Sequence, residues 1–404
     1  MNANDPDVLI IGAGCAGIAA ARTLLATGQS CVVLEAGARV GGRAHTVMAL
    51  GAPLDLGATW LHQANDNPLT AFVGAHQDHD AVRERLLHLG DRFATPAELA
   101  DFAEAQVAFE EVIASAPSQP DRDVQAVAPH GGRWDATIAH WLGAQINAAE
   151  LAGISLEDYV ATGLDGPNLL PREGVGGLVA RLAEGLPIRL HQPVSHLRWA
   201  GPGVVATGPW GSLRAGRAIV TVSTGVLAAG GIAFTPGLPK PTSQAILGLP
   251  MGLLTKFAFR LRGGAGLPAF HSAARAVSAA APHPMGWIFR PFGADLVFGF
   301  VGGDHAWELS RVRGTEAAAR ADFAAIFGSD AVLGEAVISD WGTNPLFLGS
   351  YSHARPGHHA SRARLATPLG EGRLRFAGEA CHSRFAGTVA GAWLSGVSAA
   401  LTPP

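Results

Sequence analysis

The chain has 404 residues, 48% of them hydrophobic and 15% charged, a balance that supports a large packed core and excludes a mostly disordered polymer. A formal net charge of -4 with no basic stripe argues against a nucleic-acid partner. The three cysteines make no disulfide framework, no apolar run reaches membrane-spanning length, and no secretory leader is visible, so the expectation is a cytoplasmic protein without a membrane anchor.

In chain order, Val8–Ile11 (VLII) reads as a buried strand. Gly12, Gly14 and Gly17 follow in G-x-G-x-x-G spacing, and Ala16, Ile18 and Leu24 mark an apolar helix. Residues 30–34 read as a second strand with Glu35 at its end. Gly12 permits the tight turn, Gly14 lets a pyrophosphate approach the backbone, and Gly17 lets helix and strand pack closely. The helix N-terminus then aims free N–H groups at phosphate. Glu35 suits ribose hydroxyls and disfavours a ribose phosphate. Gly41, Gly42 and Arg43 come next, and this second glycine pair with arginine resembles flavoprotein oxidases that retain FAD, where the arginine adds positive charge beside the pyrophosphate.

Residues 51–68 read as loop and short strand, carrying Asp55, Trp60 and His62. Residues 69–154 read as mostly helical. Within them, 97–115 is expected to be one amphipathic helix, with Leu99, Phe102, Ala103, Val107, Phe109, Val112 and Ile113 at roughly helical spacing, and 136–151 a second with Ile138, Trp141, Leu142 and Ile146. A helix through Leu182 and β segments at 188–190, 194–197, 204–206 and 218–222 follow. Downstream come a helix at 243–247, a strand through Lys256 to Leu261, strands at 287–290 and 296–301, a helix at 315–327, a loop at 341–351, a strand at 374–377 and a last helix at 387–401.

The ordered blocks are the N-terminal fingerprint, GGR at 41–43, GATWLH at 57–62, REGVGGL at 172–178, TVSTGVL at 221–227, MGLLTKFAF at 251–259, WGTNPLFLGSYS at 341–352 and FAGEACHSRFAGTVAGAWLSG at 376–396. In this order they resemble the FAD-dependent amine oxidases, a family that includes monoamine oxidases, polyamine oxidases and the lysine-specific histone demethylase. GATWLH and the GTV–GA–LSG ending resemble the polyamine-oxidase branch. The resemblance implies an α/β, two-domain flavin amine oxidase fold: a Rossmann-like FAD-binding domain with a substrate domain of mixed sheet plus helices. The FAD-binding parts are expected at 1–68, 171–235 and 346–404, a helical insertion of the substrate domain at 69–170, and its sheet at 236–345.

The resemblance also assigns roles. FAD contacts fall on Gly12, Gly14, Ala16, Gly17, Glu35, Gly42, Arg43, Gly57, Ala58, Thr59, Trp60, Val194, Trp341, Gly378, Glu379, Thr388 and Val389. Ser350 stands where monoamine oxidases bond the flavin through cysteine, so FAD is expected to be held noncovalently. Lys256, His62 and Tyr351 are the expected catalytic residues, with Phe385 and Thr388 joining His62 and Tyr351 around the substrate. The implied partners are a small-molecule amine and dioxygen, and the products are hydrogen peroxide and an imine that hydrolyses to aldehyde and amine.

The residues themselves leave choices open. Lys256 in an apolar strand must find a partner, lower its pKa or snorkel to solvent. Tyr351 is either a ring beside the amine or a core tyrosine, and His62 either orients the amine and takes a proton or is a buried structural histidine. Asp165 and Glu173 are candidates for a distant ammonium, and Arg172, Arg290 and Arg355 for a carboxylate if the substrate is an amino acid. His353, His358 and His359 share a loop, but no regular ligand spacing accompanies them and no metal is expected. Oxidation of a monoamine, an L-amino acid or a heterocyclic amine is the alternative; a non-catalytic FAD-binding subunit is the other class.

Overall fold

Five parallel strands build the first layer, in the spatial order Leu374–Phe376, Arg217–Val220, Val8–Ile11, Cys31–Leu34, Ile188–Arg189. The computed structural model describes residues 5–80, 85–267 and 269–402. Every residue of the central Val8–Ile11 strand is buried, as expected for a parallel sheet covered on both faces. The Cys15–Ala26 helix covers one face and lies against the C-terminal helix Val389–Leu401. A Cβ at Gly396 would fall 2.2 Å from the Ala16 carbonyl oxygen, so only glycine lets the two helices meet. The two ends of the chain are therefore parts of one layer. A separate four-stranded sheet, Gly211–Ala215, Val204–Gly208, His196–Arg198 and Ala233–Thr235, stands beside it.

The second layer is a seven-stranded sheet in the order Val332–Ile338, Leu254–Leu261, Leu296–Gly302, Gly286–Phe289, Ser272–Arg275, Arg85–Leu89, Arg92–Phe93. Strand alternation sorts its faces. Phe257, Phe259, Trp287 and Phe289 point one way, towards Phe323 of the Thr315–Phe327 helix; the Trp287–Phe323 centroids are 4.8 Å apart. Burying each of these rings is worth about 1.5–3 kcal/mol. The opposite face carries Lys256, Phe300 and Gly286 in one cross-strand row.

Several expectations need correction. The 69–170 insertion is not purely helical, because Arg85–Leu89 pairs in parallel with Ser272–Arg275 and extends the large sheet. A five-residue strand is too short for its periodicity to declare it, and distant pairing decides its conformation. Residues 46–55 form a hairpin of Thr46–Ala49 and Ala52–Asp55. The long insertion helix spans Pro96–Ser115, opened by a Thr95–Glu98 capping box. It buries Phe102, Phe109 and Ile113, while Val107 and Val112 stay 57% and 46% exposed. The second insertion helix is regular only over Asp135–His140 and continues as a π-helix over Trp141–Asn147, leaving Ile146 exposed. A Gly303–Val312 helix follows the Leu296–Gly302 strand without having been anticipated. Among the described residues, no helix is long and apolar enough to cross a membrane.

Candidate active site

A cavity of about 1470 Å³ runs from the Gly12 turn, past the 57–62 segment, onto the Lys256 face of the large sheet. At its nucleotide end, the Cys15–Ala26 helix starts at Gly14 with no side-chain cap and no acid in its first turn. Its free N–H groups thus face an open cradle, and a Cβ built on Gly14 meets nothing within 4 Å. Gly17 does not line the cavity; its absent Cβ would fall 2.0 Å from the Gly12 carbonyl oxygen, so it is the point where turn and helix close on each other. Glu35 is already fixed, accepting from the amides of Ala13 and Gly37, both at 2.7 Å. Glu35 lines the cavity, and a carboxylate has acceptor capacity beyond these two bonds, which suits ribose hydroxyls. An uncapped helix start, an open glycine and an oriented carboxylate fit an adenosine diphosphate moiety.

Arg43 does not stand alone beside this cradle. Its guanidinium donates to Glu379 Oε1 at 2.8 Å and to the Ser350 carbonyl at 3.0 Å. Glu379 also accepts from Ser352 Oγ, the Ser352 amide and the Gly387 amide. Burial alone would raise the Glu379 pKa, but Arg43 and the Ser352 hydrogen bond outweigh it and hold the carboxyl below its ordinary value. Behind Ser352, Arg362 binds Asp158 in a buried fork at 2.6 and 2.7 Å and reaches Ser352 Oγ. This charged ladder ties the insertion to the C-terminal segment, and the sequence reading missed both Asp158 and Arg362.

Gly42, Ala58, Trp341, Val194, Gly378, Thr388 and Val389 all line the cavity. Trp341 is fixed by donating from Nε1 to the Leu56 carbonyl at 2.7 Å. Gly57 is required by closeness: a Cβ there would lie 1.8 Å from the Arg43 carbonyl oxygen. Thr388 caps the last helix by accepting from the Gly391 amide, and it donates to the Phe385 carbonyl. Its hydroxyl is therefore committed to the protein. Phe385 does not line the cavity; it is buried against His382 under the Arg384 guanidinium.

Lys256 is 5% exposed and on the cavity wall, so it does not snorkel. Its Nζ donates to the Gly57 carbonyl at 2.6 Å and to Thr59 Oγ1, and it lies 4.9 Å from the Trp60 ring centroid. Burial lowers its pKa to about 8, with Asp55 opposing the shift. Asp55 is itself pushed up to about 6 by burial, although Thr46 and the amides of Val175 and Gly176 support its charge. Those contacts explain the REGVGGL block, because Asp55 satisfies the first amides of the Val175–Leu182 helix.

His62 also lines the cavity. Its Nδ1 lies 2.6 Å from Asn168 Oδ1, and Asn168 Nδ2 donates to Asp80 Oδ2. A carboxylate only accepts, so the Asn168 amide is oriented and His62 Nδ1 must carry the proton. Nε2 is left with the lone pair. Burial holds the His62 pKa below its ordinary value, only partly offset by Asn168. Tyr351 presents its ring, since its hydroxyl donates to the Ile146 carbonyl at 2.7 Å. Trp60, Phe300 and Trp141 continue the aromatic wall.

The other candidates divide. Asp165 lines the cavity; Glu173 does not and pairs with Arg181 at 2.7 Å. Arg172, Arg290 and Arg355 are absent from the wall, whereas Arg85 and Arg275 are on it. No group of metal-ligating side chains occurs among the described residues, and His359 bonds Asp158 instead.

The sequence profile described as flavin containing amine oxidoreductase matches residues 15–401. Polyamine oxidase 4 of Oryza sativa subsp. japonica is 30% identical over 443 residues, spanning 98% of this chain and 88% of its own. Polyamine oxidase 2 of Arabidopsis thaliana is 28% identical, with 99% and 88% covered. Lysine-specific histone demethylase 1 homolog 3 of Oryza sativa subsp. japonica is 28% identical over 96% of this chain and 53% of its own. A solved structure of putrescine oxidase redesigned in its cofactor binding shares the fold, with a TM-score of 0.78, 20% identity and 98% of each chain covered.

Proposed function

The chain belongs to the flavin-containing amine oxidoreductases, and from that premise we propose that it oxidises polyamine-like or secondary amines with noncovalently held FAD and dioxygen. Bound FAD supplies acceptance of a hydride equivalent from the carbon next to the amine nitrogen, and dioxygen takes the electrons on as hydrogen peroxide. The resulting imine and water give an aldehyde and a shorter amine. The protein's own residues supply the rest. The start of the Cys15–Ala26 helix and Glu35 hold the nucleotide end, and Ser350 offers no thiol for a covalent link. Trp60, Phe300 and Tyr351 keep the reacting amine out of water. His62 Nε2 takes the ammonium proton, so that the nitrogen lone pair is available for oxidation. Lys256 holds a water at the cavity floor.

The observation that carries this reading is Lys256: a buried amine with its pKa lowered to about 8, held on Gly57 under an aromatic wall. Amino-acid oxidation is disfavoured because the arginines of this wall are already engaged: the Arg85 guanidinium lies 4.5 Å from the Trp141 ring centroid and donates to Gln106, and Arg275 pairs with Asp322. The test is an amine panel with peroxide detection. Peroxide with spermidine or spermine from a yellow protein is expected; a colourless protein after gentle purification, or no peroxide with any amine, contradicts the reading.

A further inference from the structure

On the amine-oxidase reading above, we infer that Thr59 is a positioning residue for Lys256: its hydroxyl holds the Lys256 amine in one place whether that amine carries two protons or three. Thr59 is 5% exposed and lines the cavity, as Lys256 does. Its Oγ1 accepts from Lys256 Nζ and donates to the Gly57 carbonyl at 3.2 Å. The same carbonyl accepts from Lys256 Nζ at 2.6 Å. Amine, hydroxyl and carbonyl thus close a ring of hydrogen bonds. Both acceptors lie on a segment that is itself pinned. Trp341 Nε1 donates to the Leu56 carbonyl, and the Ala58 amide donates to the Arg43 carbonyl.

The members of this ring are not equivalent. A carbonyl only accepts, so Gly57 takes an N–H from Lys256 in either charge state. A hydroxyl both accepts and donates, and its hydrogen rotates to suit. When Lys256 is an ammonium, two of its three N–H groups go to Gly57 and Thr59, and Thr59 gives its own hydrogen to Gly57. When the amine loses a proton it gains a lone pair. Thr59 then turns its hydrogen onto that lone pair, and Gly57 keeps its N–H. One N–H is left over in both states, for the water at the cavity floor. Proton loss therefore reverses one bond without moving the nitrogen. The other titratable groups that act on Lys256 are Asp55, which supports its charge, and His62. Its cross-strand neighbour is Phe300, Trp60 covers it, and Ser339 bonds its backbone amide, so none of these replaces the hydroxyl. Hydrogen bonds to a charged group are the stronger ones, so removing the hydroxyl costs the ammonium more than the neutral amine.

Lys240 and Lys256 are the only lysines in the chain, so lysine isotope-labelled at Cε gives two NMR signals, and Lys240→Arg assigns them. In the oxidised holoenzyme the Lys256 signal is expected to titrate near pH 8. Thr59→Val keeps the shape and loses the hydroxyl, and should move that midpoint down by about one pH unit. Thr59→Ser keeps the hydroxyl and should restore it. The pH at which the reaction of the reduced holoenzyme with dioxygen levels off should move by the same amount. If the valine variant does not accumulate, Thr59→Cys, whose thiol is a weak acceptor, should shift the signal in the same direction. A midpoint that stays or rises without the hydroxyl, a serine variant that behaves like valine, or an oxygen reaction that ignores the shift overturns the assignment of Thr59. A flavin that no amine reduces overturns the amine-oxidase reading instead, and the Lys256 titration still judges Thr59.

Discussion

The two ends of the cavity are built on different terms. At the nucleotide end the charged side chains are already satisfied by the protein: Glu35 by two backbone amides, Glu379 by Arg43, Ser352 and Gly387. At the substrate end Lys256, His62 and Tyr351 are each held by one side of the group, on Gly57, Asn168 and Ile146, which leaves His62 Nε2 and the Tyr351 ring for the cavity. One end is a network of ion pairs and amides closed on itself; the other is a wall of rings into which a few anchored polar groups are set. Damage to the first should therefore appear as lost stability and cofactor, and damage to the second as lost turnover.

The largest effect should follow Glu379→Gln, which leaves the part-buried Arg43 without its counter-charge and costs about 3–5 kcal/mol. Thermal unfolding should shift down, with FAD lost on gel filtration. The Glu379 carboxyl is held below its ordinary value of 4.5, so its contribution is present above that pH and is lost as pH falls through the lower folded value. Next comes Lys256→Met, with FAD retained and turnover reduced on the order of a hundredfold. If Lys256→Met instead loses FAD with little loss in the rate of the remaining holoenzyme, the contrast between the two ends breaks.

A pH profile sharpens the same point. Lys256, lowered from 10.5 to about 8, becomes neutral above that pH. The reaction of the reduced holoenzyme with dioxygen, measured without amine, should rise with pH and level off above about 8. Lys256→Arg stays charged and should lose the rise. A smaller effect is expected of Tyr351→Phe, which removes the hydroxyl bond to Ile146 but keeps the ring: about 1 kcal/mol, or several-fold in KM. Smallest is Val107→Lys on the exposed face of the insertion helix, within about 0.5 kcal/mol by thermal unfolding.

The same division explains what the sequence made legible. The Gly12–Gly17 turn, its helix and Glu35 are set by neighbours within thirty residues, so spacing alone located them. Lys256 was legible because a lysine interrupts an apolar strand, and alternation fixes its face once the strand is known. Arg85–Leu89 was not, because a partner strand nearly two hundred residues away makes it β. The Asp158–Arg362 pair escaped for a related reason: the two lie 204 residues apart, and neither stretch marks the other. Phe385 shows the limit of a matched motif: an aromatic beside it looks the same in sequence whether it faces the cavity or packs behind it, as this buried ring does against His382.

The most direct test mixes the purified yellow protein with spermidine in the absence of oxygen and follows the visible flavin band. Bleaching, reversed when air is admitted with release of hydrogen peroxide, is the predicted result. A band that stays unchanged with spermidine and with every other amine tried would contradict the account.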